Sequence, residues 1–530
     1  MRNFELPGRS RAHATHGMAA TSHPLATLAA LDVLRAGGNA MDAAVAACAV
    51  QCVVEPQSTG IGGDCFVLYS RGGADDIVAY NGSGRAPAKA TADYFAAKGI
   101  GAIDSLSPHA VTVPGAVDAW TRLIADHGTR SLAELLKPAI AYARDGYPIH
   151  DRVATDWERA EATLLNDPST TALFMPDGRI PGAGARHRQP LLAATLERIA
   201  SQGRDGFYQG PVAEDMVEYL NRLGGLHAIG DFAAAKGEYV KPIKTHFRGL
   251  DIHECPPNGQ GIIALLQLNI LAGLKIGNRD PLSIERLHLA IEAARLAYAD
   301  RDAVLADPVH ADVPVAALLS PAHADALRAK IRRDRRLEPL PPVALPAHAD
   351  TVYLAVVDKD RNAVSFINSL FSSFGTGLMA PRSGVLLHNR GASFVVAPGH
   401  PNCIAPGKRP MHTIIPGMAT RDRRCVMPFG VMGGQYQAMG HAWFLANLLD
   451  YGLDLQESMD LARLFPMLEG PVEVESGIPA ETVAALKRLG HAPVRADRPI
   501  GGSQAIWIDW HGGGLTGASD PRKDGCALGY

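Results

Sequence analysis

A chain of 530 residues, 47% of them hydrophobic, can bury a large core, and its length allows one to three domains. A formal charge of -3 supplies no basic field for nucleic acid and leaves no acidic tail. Seven cysteines, an odd number without a CxxC pair, argue against a disulfide framework and a zinc ribbon.

The opening MRNFELPGRSRAHATHG lacks the apolar core of a secretory signal. The longest apolar stretch, Ala43 to Val54, is interrupted by Gln51 and falls short of the roughly 20 residues a membrane span needs. A soluble cytoplasmic protein is the expectation. Pro24 to Leu34 reads as an amphipathic helix, with Pro24 in its first turn and Gly37-Gly38-Asn39 as its stop. Ala40 to Val54 is apolar on every side and reads as a buried helix, in which Cys48 and Cys52 serve as small hydrophobes. After Glu55-Pro56 a glycine-rich turn, TGIGGD, leads into a strand at Cys65–Tyr69, with Cys65 in the core. A second strand covers Ile77–Tyr80, and the loop NGSGRAPAKA follows.

From about Pro114 to Ala329 the pattern is mostly helical, most clearly at Ile284 to Ala299. A rigid turn, PPNGQG, precedes a helix at Ile262 to Leu271. Lys330 to Arg336 then holds five basic residues, and prolines follow at 339, 341, 342 and 346. Such a segment cannot form a central strand or a helix interior, so about 330–350 reads as an exposed linker. The character then switches at once. Thr351 opens a strand, Asp358 to Asn362 is a turn, and Ala363 to Leu370 returns as its hairpin partner. Further strands are expected at Val385–Leu387, Cys425–Val431 and Gln504–Ile508, with helices near Ala442–Leu449 and Leu455–Leu464. Strands and helices mix in both halves without regular alternation, which points to a layered α+β protein.

A threonine at the head of a strand is ordinary, because threonine is a good strand former. Its hydroxyl is a poor nucleophile unless a base assists, and a residue's own α-amine can be that base. An α-amine titrates near 7.7–8.0 and is partly unprotonated at neutral pH. Backbone cleavage before Thr351 would create one.

The strings HPLATLAALDVLRAGGNAMDAAVAA, EPQSTGIGGD, APAKAT, VPGAVDAW, AYADRDAVLADP, DTVYLAVVDKDRNAVSF, FGTG, GKRP, MGG and GASDPR occur in order from residue 23 to residue 522. Together they resemble the γ-glutamyltranspeptidase family over nearly the whole chain. The resemblance implies a four-layer αββα N-terminal-nucleophile hydrolase made as one precursor. It implies self-cleavage between Asp350 and Thr351 into a large chain, 1–350, and a small chain, 351–530. The two would stay together as a heterodimer, which could dimerise again. Thr351 aligns with the family nucleophile and Ser369 with the hydroxyl that assists it. Gly433 and Gly434 match the turn whose N–H groups form the oxyanion hole. No metal, organic cofactor, nucleic acid or membrane is implied. His13 and His16 find no third ligand nearby in sequence.

The chain departs from the family where a γ-glutamyl group is held. Ser83 stands in place of the basic residue that grips the α-carboxylate, with Arg85 two residues on. Phe371 replaces an asparagine, Arg390 and Ser393 replace the two acceptors for the α-ammonium, and His412-Thr413 replaces a serine pair. The segment Phe394 to Lys408 is short for a family lid. An ammonium would meet Phe371, a cation and one hydroxyl, whereas Arg390, Arg85, His412 and Thr413 suit a carboxylate. The expected substrate is therefore a small amide whose acyl group carries a carboxylate and no α-ammonium, such as an oxamate-, succinyl- or glutaryl-like amide, as in the oxamate amidohydrolase and acylase-like branch. If Arg390 faces solvent, ordinary γ-glutamyl amides remain the substrate, by hydrolysis or transpeptidation. An unprocessed binding module would need Thr351, Ser369 and Gly433-Gly434 to be incidental. A dinucleotide enzyme would need a GxGxxG turn, which TGIGGD and MGGQYQAMG do not supply.

Overall fold

The computed structural model describes residues 8–276, 280–338, 350–467 and 470–530. Two seven-stranded sheets dominate it. The first runs Ala527–Gly529, Met18–Ala20, Asp350–Val357, Ala363–Phe371, Asp64–Ser70, Val78–Gly82 and Glu238–Val240. The second runs Ala12–Ala14, Leu515–Ser519, Gly502–Ile508, Arg424–Met432, Gly417–Arg421, Leu250–Glu254 and Ile243–Phe247. Neighbours in both sheets are antiparallel.

The period of two along a strand sorts side chains between two cores. Tyr353, Ala355 and Val357 join Phe66, Leu68, Met418 and Ile506 between the sheets. Leu354 and Val356 point the other way, with Val67 and Tyr69, against helices Pro24–Arg35, Ala40–Val54 and Ala116–His127. The second sheet's outer face, including Phe429 and Val431, packs on helices Gly261–Ala272, Ile284–Val304 and Gln437–Leu449. The order of layers is thus helix, sheet, sheet, helix, the αββα arrangement.

The expected helix Ala40–Val54 is buried along its whole length and starts at a capping box between Asn39 and Asp42. The expected hairpin forms at Asp350–Val357 and Ala363–Phe371, its turn fixed by the Asp358 carboxylate accepting the Asp360 and Asn362 N–H groups. Cys48, Cys52 and Cys65 are all buried. One expectation gains detail and two are corrected. The helical stretch before residue 329 contains the strands Glu238–Val240, Ile243–Phe247 and Leu250–Glu254, whose short alternating pattern was hidden between long helices. Val385–Leu387 makes only a bridge, Met379 to Leu386, where the chain crosses beneath the glycine-rich turn. Leu455–Leu464 divides into a helix, Leu455–Asp460, and a strand, Leu464–Pro466. The linker's first part, 331–338, is tied down: Arg336 N–H donates to Leu489 O at 2.8 Å and Leu337 N–H to Glu292 Oε2 at 2.6 Å. Its prolines lie outside the described residues.

Candidate active site

The hairpin register pairs Asp350 with Phe371 and then Val352 with Asn368, so the ladder shifts at Thr351. The returning strand has one residue more here, so Ser369 and Leu370 form a β-bulge opposite Thr351, a device that re-aims a side chain at a strand end. Its Oγ1 lies 2.9 Å from Ser369 Oγ, and Ser369 Oγ also accepts the Phe371 N–H at 2.9 Å. Both hydroxyl residues are buried. Gln437 Nε2 approaches Thr351 Oγ1 from another side at 3.5 Å.

Gly433 and Gly434 follow the strand Arg424–Met432 with φ of 119° and 56°, a left-handed pair that side-chain-bearing residues resist. A Cβ at Gly433 would lie 2.9 Å from Gly501 Cα. Both carbonyls are turned to protein donors. Gly434 O accepts Gln260 Nε2 at 3.0 Å and Gly433 O accepts the Tyr436 N–H at 3.0 Å. Arg301 holds Gln260 Oε1 at 3.1 Å, and Tyr298 Oη donates to Gln435 O at 2.5 Å. The turn is thus braced from behind, beside the residue that reaches Thr351.

Arg390 is fully buried, which removes the solvent-facing alternative. Its guanidinium carbon lies 4.0 Å from the Phe371 ring centre, a cation–π stack. Phe371 adopts φ of 78°, a strained conformation for a bulky residue, and so carries its ring under Arg390. Arg390 Nη1 donates to Thr413 Oγ1 at 2.8 Å, whereas Nε and Nη2 find no protein acceptor. Burial pushes this guanidinium down to about 9, against the opposing pull of Asp64. The same turn presents two more buried groups without partners, Asn389 Nδ2 and Ser393 Oγ. Asn389 Oδ1 accepts the Ser372 N–H at 3.0 Å, which fixes the amide with its nitrogen as the free end.

Two members of the expected carboxylate-binding set lie elsewhere or are already engaged. Arg85 donates to Gly407 O at 3.0 Å and faces Asp307 at 3.7 Å and Glu238 at 3.9 Å. The next residue bonds the same segment, the Ala86 N–H donating to Lys408 O at 2.8 Å. His412 Nε2 bonds Asp64 Oδ2 at 2.9 Å, and its Nδ1 accepts the Ile414 N–H at 3.3 Å, so neither nitrogen is left to donate. Burial, then Arg390, push His412 down to about 3, and it is neutral. Ser83 is buried and its Oγ accepts from Asn258 Nδ2 at 3.1 Å. Asn258 O in turn accepts the His412 N–H at 2.9 Å, so Ser83 belongs to the wall behind His412.

Sequence reasoning missed Gln437, Asn389 and the acid Asp64. Asp64 Oδ1 accepts the Gly84 N–H at 2.9 Å and the Gly115 N–H at 3.2 Å, and His388 Nδ1 lies 3.6 Å from Oδ2. Burial raises this carboxyl, but His388, His412 and Arg390 outweigh it and hold the group below its usual range. The only available signal was its place in the GGD string. His13 and His16 join no metal-sized cluster among the described residues, but His288, Glu292 and His491 bring ligand atoms within 4.8 Å of one another. His288 Nδ1 and His491 Nε2 are 2.8 Å apart, His288 Nε2 bonds Arg332 O at 2.6 Å, and Arg295 Nη1 lies 3.1 Å from His491 Nδ1. With a guanidinium in the cluster, a hydrogen-bond clamp on residues 332–337 fits better than a cation.

No helix among the described residues is long and apolar enough to cross a membrane. The family profile described as "Gamma-glutamyltranspeptidase" matches residues 26–530. A "glutathione hydrolase-like YwrD proenzyme" of Bacillus subtilis is 37% identical over 97% of this chain and 98% of its own. An "oxamate amidohydrolase proenzyme" of Klebsiella pneumoniae is 36% identical over 97% of this chain and 99% of its own. Among solved structures, a cephalosporin acylase from Bacillus halodurans superposes with a TM-score of 0.92 at 37% identity, covering 100% of this chain and 99% of that one. By sequence and by fold, this chain belongs to the gamma-glutamyltranspeptidase family.

Proposed function

We propose that this N-terminal-nucleophile amidohydrolase is cut between Asp350 and Thr351 and then hydrolyses a small amide whose acyl group carries a carboxylate and no α-ammonium. Thr351 Oγ1 adds to the amide carbonyl while its proton passes to the new α-amine. Charge developing on the carbonyl oxygen falls to the Gly433 and Gly434 N–H groups. The C–N bond breaks, the amine leaves with that proton, and water then cleaves the acyl-Thr351 ester.

The observation that carries the acyl preference is the buried Arg390. Its Nε and Nη2, one edge of the guanidinium, lack partners, and that edge matches a carboxylate bidentately. Ser393 Oγ and Asn389 Nδ2 add donors in the same turn. An α-ammonium at this place would face a cation and a ring already stacked on it. The similarity to an oxamate amidohydrolase and a cephalosporin acylase supports the reading.

The test is an intact-mass spectrum of the purified protein beside Thr351→Ala, followed by turnover of glutaryl, succinyl and γ-glutamyl anilides and of oxamate. Two chains in the wild type, one in the variant, and faster turnover of acyl groups without an ammonium are expected. A wild-type chain that stays whole, or a preference for γ-glutamyl amides, would refute the proposal.

A further inference from the structure

Gln437 opens the helix Gln437–Leu449, three residues beyond Gly434, and its side chain is fully buried. A buried amide is costly unless both ends are used. Its Oε1 accepts the Ile415 N–H at 3.1 Å. A main-chain N–H can only donate, so this bond fixes which end of the amide is which. The Nε2 end is thereby directed to Thr351 Oγ1, at 3.5 Å in the uncut chain. Catalytic hydrogen bonds are often long before the reacting complex forms. Ser369 Oγ lies 2.9 Å from the same oxygen.

We propose that Gln437 is a catalytic residue that donates a hydrogen bond to Thr351 Oγ1 when this oxygen leaves. The inference rests on the acyl-Thr351 reading above. The Gly433-Gly434 turn acts on the carbonyl oxygen, whereas Gln437 acts on the bridging one. During acylation a donor on Oγ1 eases loss of its proton but blunts its attack, and the two effects oppose each other. During deacylation only the favourable effect remains. Water adds to the ester carbonyl as its proton passes to the Thr351 α-amine, the C–Oγ1 bond breaks, and the departing oxygen takes charge before it recovers that proton from the resulting ammonium. An N–H on Oγ1 stabilises that departure. Self-cleavage ends in the same step. Thr351 Oγ1 displaces the Asp350–Thr351 amide nitrogen to form an ester, and water then expels Oγ1.

Two variants of similar size separate this role from a structural one. Gln437→Glu keeps an acceptor for the Ile415 N–H and the same shape, but turns an acceptor toward Thr351 Oγ1. Gln437→Met loses both bonds. A purely structural role lowers stability in both variants but leaves acylation and deacylation in their wild-type ratio. The catalytic role ranks methionine below wild type by about tenfold to a hundredfold in deacylation, and glutamate lowest. Intact-mass time courses of freshly purified precursor, with and without hydroxylamine to cut the ester, follow self-cleavage. A glutaryl anilide follows turnover. The expected result is a hydroxylamine-sensitive ester in uncut variant precursor and, in processed protein, a burst of aniline with acyl mass retained on the small chain. If Gln437→Glu does not fold, the burst in Gln437→Met decides. Processing and turnover without ester or acyl build-up in the variants, beside a competent wild type, would overturn the role of Gln437 alone. A wild-type chain that is never cut would overturn both this role and the proposed function.

Discussion

Replacing Arg390 by methionine tests the acyl-group assignment where structure and energetics pull in opposite directions. Methionine keeps much of the volume and an apolar contact with the Phe371 ring, but removes the charge. A hydrogen bond to a charged group is worth about 1.5–3 kcal/mol, and the free Nε–Nη2 edge offers two. Allowing for partial additivity, about 3–4 kcal/mol is lost, or roughly 10²–10³ in kcat/KM. The folded protein should not suffer in parallel. Without ligand, Arg390 is a buried cation with two nitrogens unpaired, a state that costs stability. Asp64, its nearest acid, retains His412 Nε2 at 2.9 Å and the N–H groups of Gly84 and Gly115. The thermal midpoint of Arg390→Met is therefore expected to hold or rise while activity collapses. The assay compares kcat/KM for a glutaryl anilide with a valeryl anilide, which has similar length and no carboxylate. A loss confined to the glutaryl substrate is expected. An equal loss on both substrates, or a fall in melting temperature that tracks the loss, would refute the reasoning.

Two further outcomes follow from the same geometry. Gly433→Ala must accommodate a Cβ 2.9 Å from Gly501 Cα at a φ of 119°, and should slow self-cleavage and turnover by about 10²–10³; a folded variant slowed by less than about tenfold would remove Gly433 from the oxyanion site. Glu55, buried and hydrogen-bonded by Ser22 and Gln51, is raised to about 7, chiefly by burial. Its folded value lies above its unfolded one, so its contribution is complete below about pH 4.5 and lost as pH rises through about 7, by up to about 3 kcal/mol. Urea midpoints measured from pH 4.5 to 8 should therefore decline less in Glu55→Gln than in wild type, and parallel curves would show that the carboxyl does not titrate in this window.

What the sequence revealed and what it concealed divide along the range of the interactions. The abrupt change from a proline-rich segment to a short, β-branched-rich apolar run after Asp350 exposes the hairpin, because composition and turn residues are local signals. The all-apolar stretch Ala40–Val54 exposes a buried helix for the same reason. Arg85 looked like a partner for Arg390 because it lies two residues from Ser83. Its direction is set instead by Gly407 and Asp307, far along the chain. His412 looked like a free donor until Asp64, 348 residues away, was seen to occupy it. Gln437 carries no sequence signal at all, since its role depends on Ile415 and Thr351 meeting at one amide. A family resemblance can nominate a nucleophile, but which donors remain free is decided by contacts between distant segments.

The same long-range pairing explains how a chain cut at the nucleophile would stay whole. The strand holding Thr351 lies between Met18–Ala20 and Ala363–Phe371, and the latter pairs with Asp64–Ser70. Large-chain strands therefore flank the small-chain hairpin on both sides. In the other sheet, Gly417–Arg421 pairs with Leu250–Glu254, and Leu515–Ser519 with Ala12–Ala14. Cleavage before Thr351 would fall opposite the bulge, where the ladder is already interrupted, and would break none of these seams. Separating the chains would unpair every one of them and expose the apolar layer between the sheets. At the far end, the Arg336 N–H bond to Leu489 O and the His288 Nε2 bond to Arg332 O pin the first part of the linker. A cut there would free the Thr351 amine while leaving the contacts of Ser369, Gln437 and the glycine turn in place. The proposed self-processing and a preorganised site would require the same thing of this fold: a nucleophile seated in a finished sheet before its peptide bond is broken.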